Sequence, residues 1–389
     1  MSVIEKVEHL VPEITEWRHR IHQHPETAFE EHNTADLVAE KLESFGLEVH
    51  RGLGRTGVVG TLRAGGGNRA IGLRADLDAL DLQEMNDFAH KSRIDGKMHA
   101  CGHDGHTAML LGAAKHLSET KNFDGIVHFI FQPAEENVAG GREMIKDGLF
   151  EKFPVESVFG LHNMPGLEVG KIAMRTGPFM AAADFFHARI VGNGGHGAFP
   201  HLATDPVVIA AAIVQAWQSL VSRNTDPMKS AVISVTQIHG GHTTNVIPNE
   251  VELSGTTRSF EPAVQDMIES GMKRIAEGIA AAHGARAEFT YDRRYASLIN
   301  SPDETVMAAE AAAHVVGADN VDTNATAVMG AEDFAWMLRE RPGCYVFLGN
   351  GAGEGSCHVH NPGYDFNDKA IATGVSYWTR LVEQILPAA

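Results

Sequence analysis

The order of predicted helices and strands constrains the fold of this chain more than any other feature, because it changes once and then changes back. In residues 1–180, amphipathic helices alternate with apolar strands of the kind found in buried parallel sheets. In residues 181–295 the order becomes βαββαβ, the ferredoxin-like arrangement, and in residues 296–389 the first pattern returns. We therefore expect an α/β domain with a mainly parallel, helix-covered sheet, and a ferredoxin-like domain inserted into it.

Residue periodicity and turn-forming residues also predict the individual elements. In the α/β domain, helices are expected at about 4–22, 34–45, 107–117, 302–315, 332–339 and 368–386. Strands of this domain are expected at about 57–63, 69–75, 125–132, 155–162 and 344–349. In the inserted domain, the expected strands are 184–191, 231–239, 250–259 and 286–293, and the expected helices are 205–222 and 262–283.

Composition limits the class of protein. The 389 residues, 43% of them hydrophobic, are enough for two domains with a sizeable core. The net charge of −18 argues against a nucleic-acid partner, because phosphate binding requires Lys and Arg. The three cysteines indicate no disulfide scaffold, and no apolar run approaches the length needed to span a membrane. With no secretory signal pattern at the N-terminus, we expect a cytoplasmic protein without a membrane or nucleic-acid partner.

The densest group of chemically active side chains is the stretch MHACGHDGH, residues 98–106. It places the thiol of Cys101 two residues from His103, with His99 and His106 on either side. Thiolate and imidazole are strong ligands for zinc and related divalent metals. The alternative is that these are ordinary polar residues at a helix start, with Cys101 acting as a small buried hydrophobe. A metal site would need further ligands from distant strands.

Carboxylates follow two of the predicted strands. Asp76 and Asp78 lie in RADLDAL, where they could orient metal-binding imidazoles or cap the next turn. Glu135 and Glu136 follow the strand at 125–132, in the sequence PAEE. Adjacent carboxylates can divide the work, one binding a metal while the other takes a proton from water. The alternative for the glutamate pair is a solvated acidic turn.

Two more histidines lie where a parallel sheet would gather ligands. His162 ends the apolar strand VESVFGLH, and the carboxyl ends of strands are where open α/β sheets bind ligands. His360 lies in the later loop HVHNPGYDF, where it could complete a metal site. His358, in the same loop, is the competing choice.

The inserted domain contains two stretches with chemical potential. The glycine-rich loop GNGGHGAFPH exposes His196 and His201. The stretch TTNVIPN contains Asn245 and precedes a strand that carries Arg258. An arginine fork binds a carboxylate through two hydrogen bonds, and an Asn amide can donate to the same anion. Taken alone, each of these residues would more often be an ordinary surface or turn residue.

Seven motifs in this order closely resemble the hippurate hydrolase branch of the aminoacylase and carboxypeptidase-G-like metallopeptidases. They are MHACGHDGHTAMLLGAA, FQPAEE, LHNMPG, GGHGAFPH, NVIPNEVELSGTTRSF, MGAEDFAWM and HNPGYDFND. The resemblance implies a metal-dependent amidohydrolase that cleaves small-molecule N-acyl-L-amino acids and binds two divalent ions per subunit. The strand that reads ADLD lacks the histidine of the wider family's His-x-Asp motif, which leaves the identity of the metal open. A mixed set of nitrogen, oxygen and sulfur ligands is compatible with manganese, zinc, cobalt or nickel.

The resemblance also implies a role for each matching residue. The metal ligands would be Cys101, His103, Glu136, His162 and His360. Glu135 would be the general base, and Asn245 and Arg258 would hold the substrate's α-carboxylate. The inserted domain would act as a lid and form a homodimer interface, through which His196 would reach the partner's site and stabilise the oxyanion. His201 receives no role.

Three rival interpretations stay open at the level of sequence. The first is a dipeptidase or carboxypeptidase with the same dinuclear chemistry, and the second is a metal-binding protein without turnover. The third is a thiol enzyme in which Cys101 acts with His103 or His106.

Overall fold

The computed structural model describes residues 3–351 and 357–388, and these residues form two compact units. The first unit comprises the described residues of Met1–Gly177, Ile299–Thr326 and Asp333–Ala389, and the second comprises Pro178–Leu298 and Ala327–Glu332. The sequence boundaries were expected at 180/181 and 295/296. The segment Ala327–Glu332 lies outside the expected insert, and backbone hydrogen bonds attach it to the second unit. Ala181 N donates to Val328 O (3.2 Å) and to Gly330 O (3.0 Å).

The helices and strands have the following bounds. The helices are α1 (Val3–Val7), α2 (Val11–Gln23), α3 (His32–Ser44), α4 (His103–Thr120), α5 (Glu135–Val138), α6 (Gly140–Lys146), α7 (Leu149–Lys152), α8 (Pro206–Ser219), α9 (Pro262–Ala282), α10 (Pro302–Val316), α11 (Ala335–Glu340) and α12 (Ile371–Ile385). The strands are β1 (Glu48–Leu53), β2 (Gly57–Ala64), β3 (Ala70–Asp76), β4 (Gly125–Gln132), β5 (Ser157–Pro165), β6 (Ile172–Ala173), β7 (Gly177–Met180), β8 (Ala182–Val191), β9 (Gly195–His196), β10 (Ala231–His239), β11 (Val246–Ile247), β12 (Glu250–Ser259), β13 (Arg286–Tyr295), β14 (Leu298–Asn300), β15 (Val321–Asp322) and β16 (Gly343–Gly351).

The first unit is built on an eight-stranded sheet with the order β1-β2-β4-β3-β5-β16-β6-β15. The central pairs β4/β3, β3/β5 and β5/β16 are parallel, which confirms the prediction of a mainly parallel sheet. The pairs β1/β2, β2/β4 and β16/β6 are antiparallel. Every residue of β3 is buried, and α4 is buried along most of its length. Because parallel strands end at the same edge of the sheet, β3, β4 and β5 deliver their following residues to one place.

The second unit contains a four-stranded sheet with the order β10-β12-β8-β13, in which all pairs are antiparallel. Helices α8 and α9 pack together over it, and Trp217 Nε1 of α8 donates to Met272 O of α9 (2.9 Å). The chain order β8-α8-β10-β12-α9-β13 is the predicted βαββαβ arrangement. The roles of this unit as a lid and a dimer interface stay predictions.

Several element bounds differ from those expected. Strand β1 was not predicted, because most of its residues are exposed and it lacks an apolar run. The first expected helix is divided, with α1 and α2 separated by a short 3₁₀ turn at Glu8–Leu10. Helix α4 begins four residues earlier than the expected 107, so that His103 is its first residue. Over the described residues, no helix combines the length and apolar composition that crossing a membrane requires.

Candidate metal centre

The five residues predicted as metal ligands come together in the first unit. His103 begins α4 and Cys101 lies two residues before it, and the others come from α5, β5 and the loop before α12. Their ligand atoms form overlapping groups in which all atoms lie within 4.8 Å of one another: Cys101 with His103 and His162, Cys101 with Glu136 and His360, and His103 with Glu135 and Glu136. Of the two histidines in the loop before α12, both among the described residues, His360 belongs to these groups and His358 does not.

Local backbone geometry makes this convergence possible. Gly102, between two of the ligands, has φ 91°, and a Cβ at this position would lie 2.3 Å from Asn163 Nδ2. Glycine is therefore required where the turn passes β5. His360 has φ 65° without being glycine, and its N–H donates to Ala100 O (2.7 Å). This hydrogen bond attaches the loop of His360 to the segment that precedes Cys101.

The ring of His103 has a fixed orientation. Its Nδ1 lies 2.9 Å from Asp78 O and 3.3 Å from Asp78 Oδ1, so that Nε2 faces the cluster. Nε2 is buried and has no hydrogen-bond partner among the described residues. Burial alone would lower the pKa of His103, but the surrounding carboxylates, Asp76 foremost, raise it to about 10. An unpartnered imidazole nitrogen in a field that favours positive charge fits a bound cation.

The sulfur ligand is held against a second imidazole. Cys101 Sγ lies 3.3 Å from His162 Nε2, and His162 Nδ1 lies 2.6 Å from Asn163 O, which fixes the ring. Burial raises the pKa of the Cys101 thiol well above its usual range, and nearby carboxylates raise it further. A thiol in this environment is not the activated nucleophile that a thiol enzyme needs, whereas a bound divalent metal would remove its proton.

The two aspartates behind the cluster contact different groups. Asp78 lies against His103 Nδ1, and its Oδ2 accepts from Glu136 N (2.9 Å), which is the contact an orienting role requires. Asp76 is fully buried, and its Oδ1 lies 2.7 Å from His106 Nδ1. Its Oδ2 accepts from Arg74 Nη1 (2.8 Å) and lies 3.8 Å from His103 Nε2. Burial alone would raise the pKa of Asp76, but the neighbouring imidazoles and guanidinium hold it well below its usual range.

His106 is buried in this site, and from the sequence we considered it only as a flank of the 98–106 cluster and as a possible partner of Cys101 in a thiol enzyme. Both of its ring nitrogens are engaged, because Nδ1 lies against Asp76 and Nε2 accepts from Asn163 N (2.9 Å). The ring therefore connects the end of β3 to β5 and has no nitrogen left for a metal. Its spacing of three residues from His103 in a helix, which places both on one face, was the available signal.

Glu135 lies beside the ligands, and one of its carboxylate oxygens is within 4.8 Å of ligand atoms of His103 and Glu136. Its Oε1 accepts from Asp333 N (3.3 Å), which is close to α11 in a distant part of the chain. Asp333 in turn accepts from Arg74 Nη2 (3.1 Å) and from Gln132 Nε2 (2.7 Å). Glu135 and the carboxylate of Asp76 are thus connected through Arg74.

The remaining predicted site residues lie in the second unit. His196 pairs with Val246 across the short β9/β11 ribbon, and Gly197 N donates to Asn245 O (2.8 Å), so that His196 and Asn245 are neighbours. His196 is exposed, and its Nδ1 accepts a hydrogen bond from Ala198 N (3.0 Å). Because Nδ1 is the acceptor, Nε2 is the ring nitrogen that carries the proton in the neutral imidazole.

Arg258 lies on β12, and its Nη1 donates to Thr257 O (2.9 Å) and to the hydroxyl of Thr256. Burial lowers the pKa of Arg258, and it has no ion pair with a carboxylate of the described residues. A half-buried guanidinium of this kind is suited to an anion from outside the chain. His201 is exposed and contacts the ring of Phe199.

The chain is similar to known metallopeptidases over nearly its whole length. Residues 72–384 match the model of peptidase family M20/M25/M40. The chain is 40% identical over 386 residues to the hippurate hydrolase of Campylobacter jejuni, covering 99% of this chain and 100% of that protein. It is 45% identical over 303 residues to the N-acyl-L-amino acid amidohydrolase of Geobacillus stearothermophilus, covering 76% and 81% of the two chains.

A solved structure agrees with the fold as a whole. The Bacillus subtilis YXEP protein, described as a dinuclear metal-binding peptidase, is 33% identical to this chain. The two superpose with a TM-score of 0.85 over 98% of this chain and 100% of that one. The family match and the identity to the relatives are extensive enough to assign the family. The chain is therefore a hydrolase that belongs to peptidase family M20/M25/M40.

Proposed function

We propose that this chain is a metal-dependent amidohydrolase that cleaves the amide bond of N-acyl-L-amino acids, with hippurate-like and N-acetyl amino acids as its substrate class. The observation that carries the proposal is the cluster of five ligands with a sixth side chain, the buried Glu135, placed beside them. A site that only stored metal would not need this additional carboxylate. The activities named for the two curated relatives support the choice of substrate.

The metal ligands are proposed to be Cys101, His103, Glu136, His162 and His360, which together would hold two divalent ions. Nitrogen, oxygen and sulfur donors in one site are compatible with zinc, manganese, cobalt or nickel. A bound cation would give His103 Nε2 the partner that it lacks among the described residues. It would also replace the ion pair between His360 Nε2 and Glu136 Oε1 (3.1 Å). When bound, the metal pair would polarise the amide carbonyl and make water a better nucleophile.

Glu135 is proposed to move the proton. As general base it would take a proton from the attacking water, and as general acid it would return this proton to the departing amine. Its side chain is buried, which strengthens electrostatic interactions with the reacting atoms. The hydrogen bond from Asp333 N to Oε1 (3.3 Å) holds this carboxyl group beside the ligands.

The second unit is proposed to recognise the substrate. Arg258 and Asn245 would bind the α-carboxylate, and His196 Nε2 would donate to the oxyanion in the site of the partner subunit. We also propose that this unit forms a homodimer interface. Large apolar side chains exposed on this unit support that assignment, among them Leu202 at 71%, Val208 at 60% and Met228 at 91% exposure.

Release of free amino acid tests the function directly. Chelator-treated enzyme should be inactive on hippurate and on a panel of N-acetyl and longer N-acyl amino acids, and added manganese or zinc should restore hydrolysis. Dipeptides belong in the same panel. Hydrolysis confined to substrates with a free N-terminal amine would reject the proposal in favour of a dipeptidase.

A further inference from the structure

A buried glutamate that lies outside the metal cluster contacts the segment of the proposed general base. Glu31, in the sequence PETAFEEHNTA, is completely buried although it is not a ligand. An unpaired buried carboxylate is strongly unfavourable, so its hydrogen bonds explain its presence. Its Oε1 accepts from Phe29 N (3.0 Å) and from Ala134 N (2.9 Å), and its Oε2 accepts from the Thr56 hydroxyl (2.6 Å).

The two backbone donors share an uncommon conformation. Phe29 has φ 63° and Ala134 has φ 54°, in the left-handed region that residues other than glycine rarely adopt. Both donate to the same oxygen of Glu31. Ala134 is also held from the other side, because its carbonyl oxygen accepts from Gly140 N (3.0 Å). A strained conformation persists only where surrounding contacts impose it.

The strained residue immediately precedes the two glutamates of the site. Three consecutive residues are each held by a different part of the chain: Ala134 N by Glu31, Glu135 Oε1 by Asp333 N, and Glu136 N by Asp78 Oδ2. Adjacent side chains can serve different tasks only if the backbone between them is fixed. The contact at Ala134 sets the direction in which the chain enters this turn.

We propose that Glu31 is a positioning residue for the general base, which it aims by holding Ala134 in the left-handed conformation. This inference rests on the role proposed for Glu135. It does not require Glu31 to touch substrate or metal. If Glu31 only stabilised the fold, its loss would lower the melting temperature without a specific effect on turnover.

Rescue by a second substitution separates these roles. In Glu31→Ala, kcat should fall about 100-fold, the size of loss that a misplaced catalytic group produces, with KM and metal content little changed. Glycine adopts positive φ without strain, so Glu31→Ala should cost less in a chain that already carries Ala134→Gly. In that background the loss of kcat should be about tenfold, measured against Ala134→Gly alone, instead of about 100-fold. Glu31→Gln is the matched control, because its amide oxygen can still accept from Ala134 N, and it should stay within a few fold of the wild type.

A substrate-free readout keeps the inference apart from the proposed function. Hydrogen exchange at the Ala134 amide should be faster in Glu31→Ala than in the wild type and in Glu31→Gln. Should Glu31→Ala fail to fold, Glu31→Met, of similar length and without an acceptor, takes its place. A wild type that hydrolyses none of the panel would reject the proposed function. Two results would instead reject the role of Glu31. One is an exchange rate at the Ala134 amide that Glu31→Ala leaves unchanged. The other is an active wild type in which Ala134→Gly restores none of the kcat lost in Glu31→Ala.

Discussion

Replacing Asp76 by Asn should destabilise the first unit far more than a change of one atom suggests. Asp76 is fully buried and uses one oxygen for His106 and the other for Arg74. An Asn side chain offers one acceptor, so its amide nitrogen would face either the His106 N–H or the Arg74 guanidinium. Breaking a buried ion pair costs about 3 to 5 kcal/mol, and we expect about 3 because Arg74 keeps its contact with Asp333.

Thermal unfolding of the metal-free protein measures this effect. A loss of about 3 kcal/mol corresponds to a melting temperature lowered by roughly 6 to 12 °C for a unit of this size. Asp36→Asn is the matched control, since Asp36 pairs with Arg51 on the surface with 66% and 49% of the side chains exposed. Such a pair contributes about 0 to 1 kcal/mol. A melting temperature of Asp76→Asn within about 2 °C of that of Asp36→Asn would refute the reasoning from buried charge.

Three further predictions concern other residues. Glu135→Gln keeps an oxygen for Asp333 N, so metal content should be retained while kcat falls by about 10² to 10⁴, and substantial residual activity would reject the base. Arg258→Ala should raise KM chiefly for substrates with a free carboxylate, and equal losses on carboxylate-free amides would count against carboxylate binding. Burial, with a smaller effect of Arg63, lowers the pKa of His128 to about 4. Between about pH 6.5 and pH 4, His128 therefore binds a proton in the unfolded chain but not in the folded chain, which favours unfolding as the pH falls. Urea unfolding should show that the free energy of unfolding decreases more steeply with falling pH in the wild type than in His128→Gln, by up to about 1.4 kcal/mol per pH unit. Parallel curves for the two proteins would contradict this assignment.

The parts of the fold that could be predicted are those whose residues carry a local pattern. Strands β3 and β4 are mainly apolar, and they begin and end within a residue or two of the expected 69–75 and 125–132. Strand β1 is exposed on most of its residues and depends on pairing with β2, so no local pattern indicates it. The attachment of Ala327–Glu332 to the second unit depends on backbone hydrogen bonds to residues far away in sequence.

The site divides in the same way. The side chains predicted to meet, such as Cys101, Glu136 and His162, belong to residue types that commonly bind metals. They lie near the ends of strands or just before a helix, at one edge of the sheet. The residues that hold them in place carry no such local signal. Glu31 accepts a hydrogen bond from Ala134, which is 103 positions away, and Arg74 is one of two charged residues in a strand that is otherwise apolar. Their importance comes from burial and from partners in distant segments, which only the folded chain brings together.

Metal content measured against turnover tests the central claim most directly. Chelator-stripped enzyme would be titrated with manganese or zinc while hippurate hydrolysis and bound metal per chain are followed together. We predict no activity without metal, an increase that saturates at about two ions per chain, and loss of binding in His103→Ala, since this change removes the buried nitrogen that faces the cluster. Full activity in metal-free enzyme, or unaltered metal binding in His103→Ala, would contradict the assignment of this cluster as the metal centre.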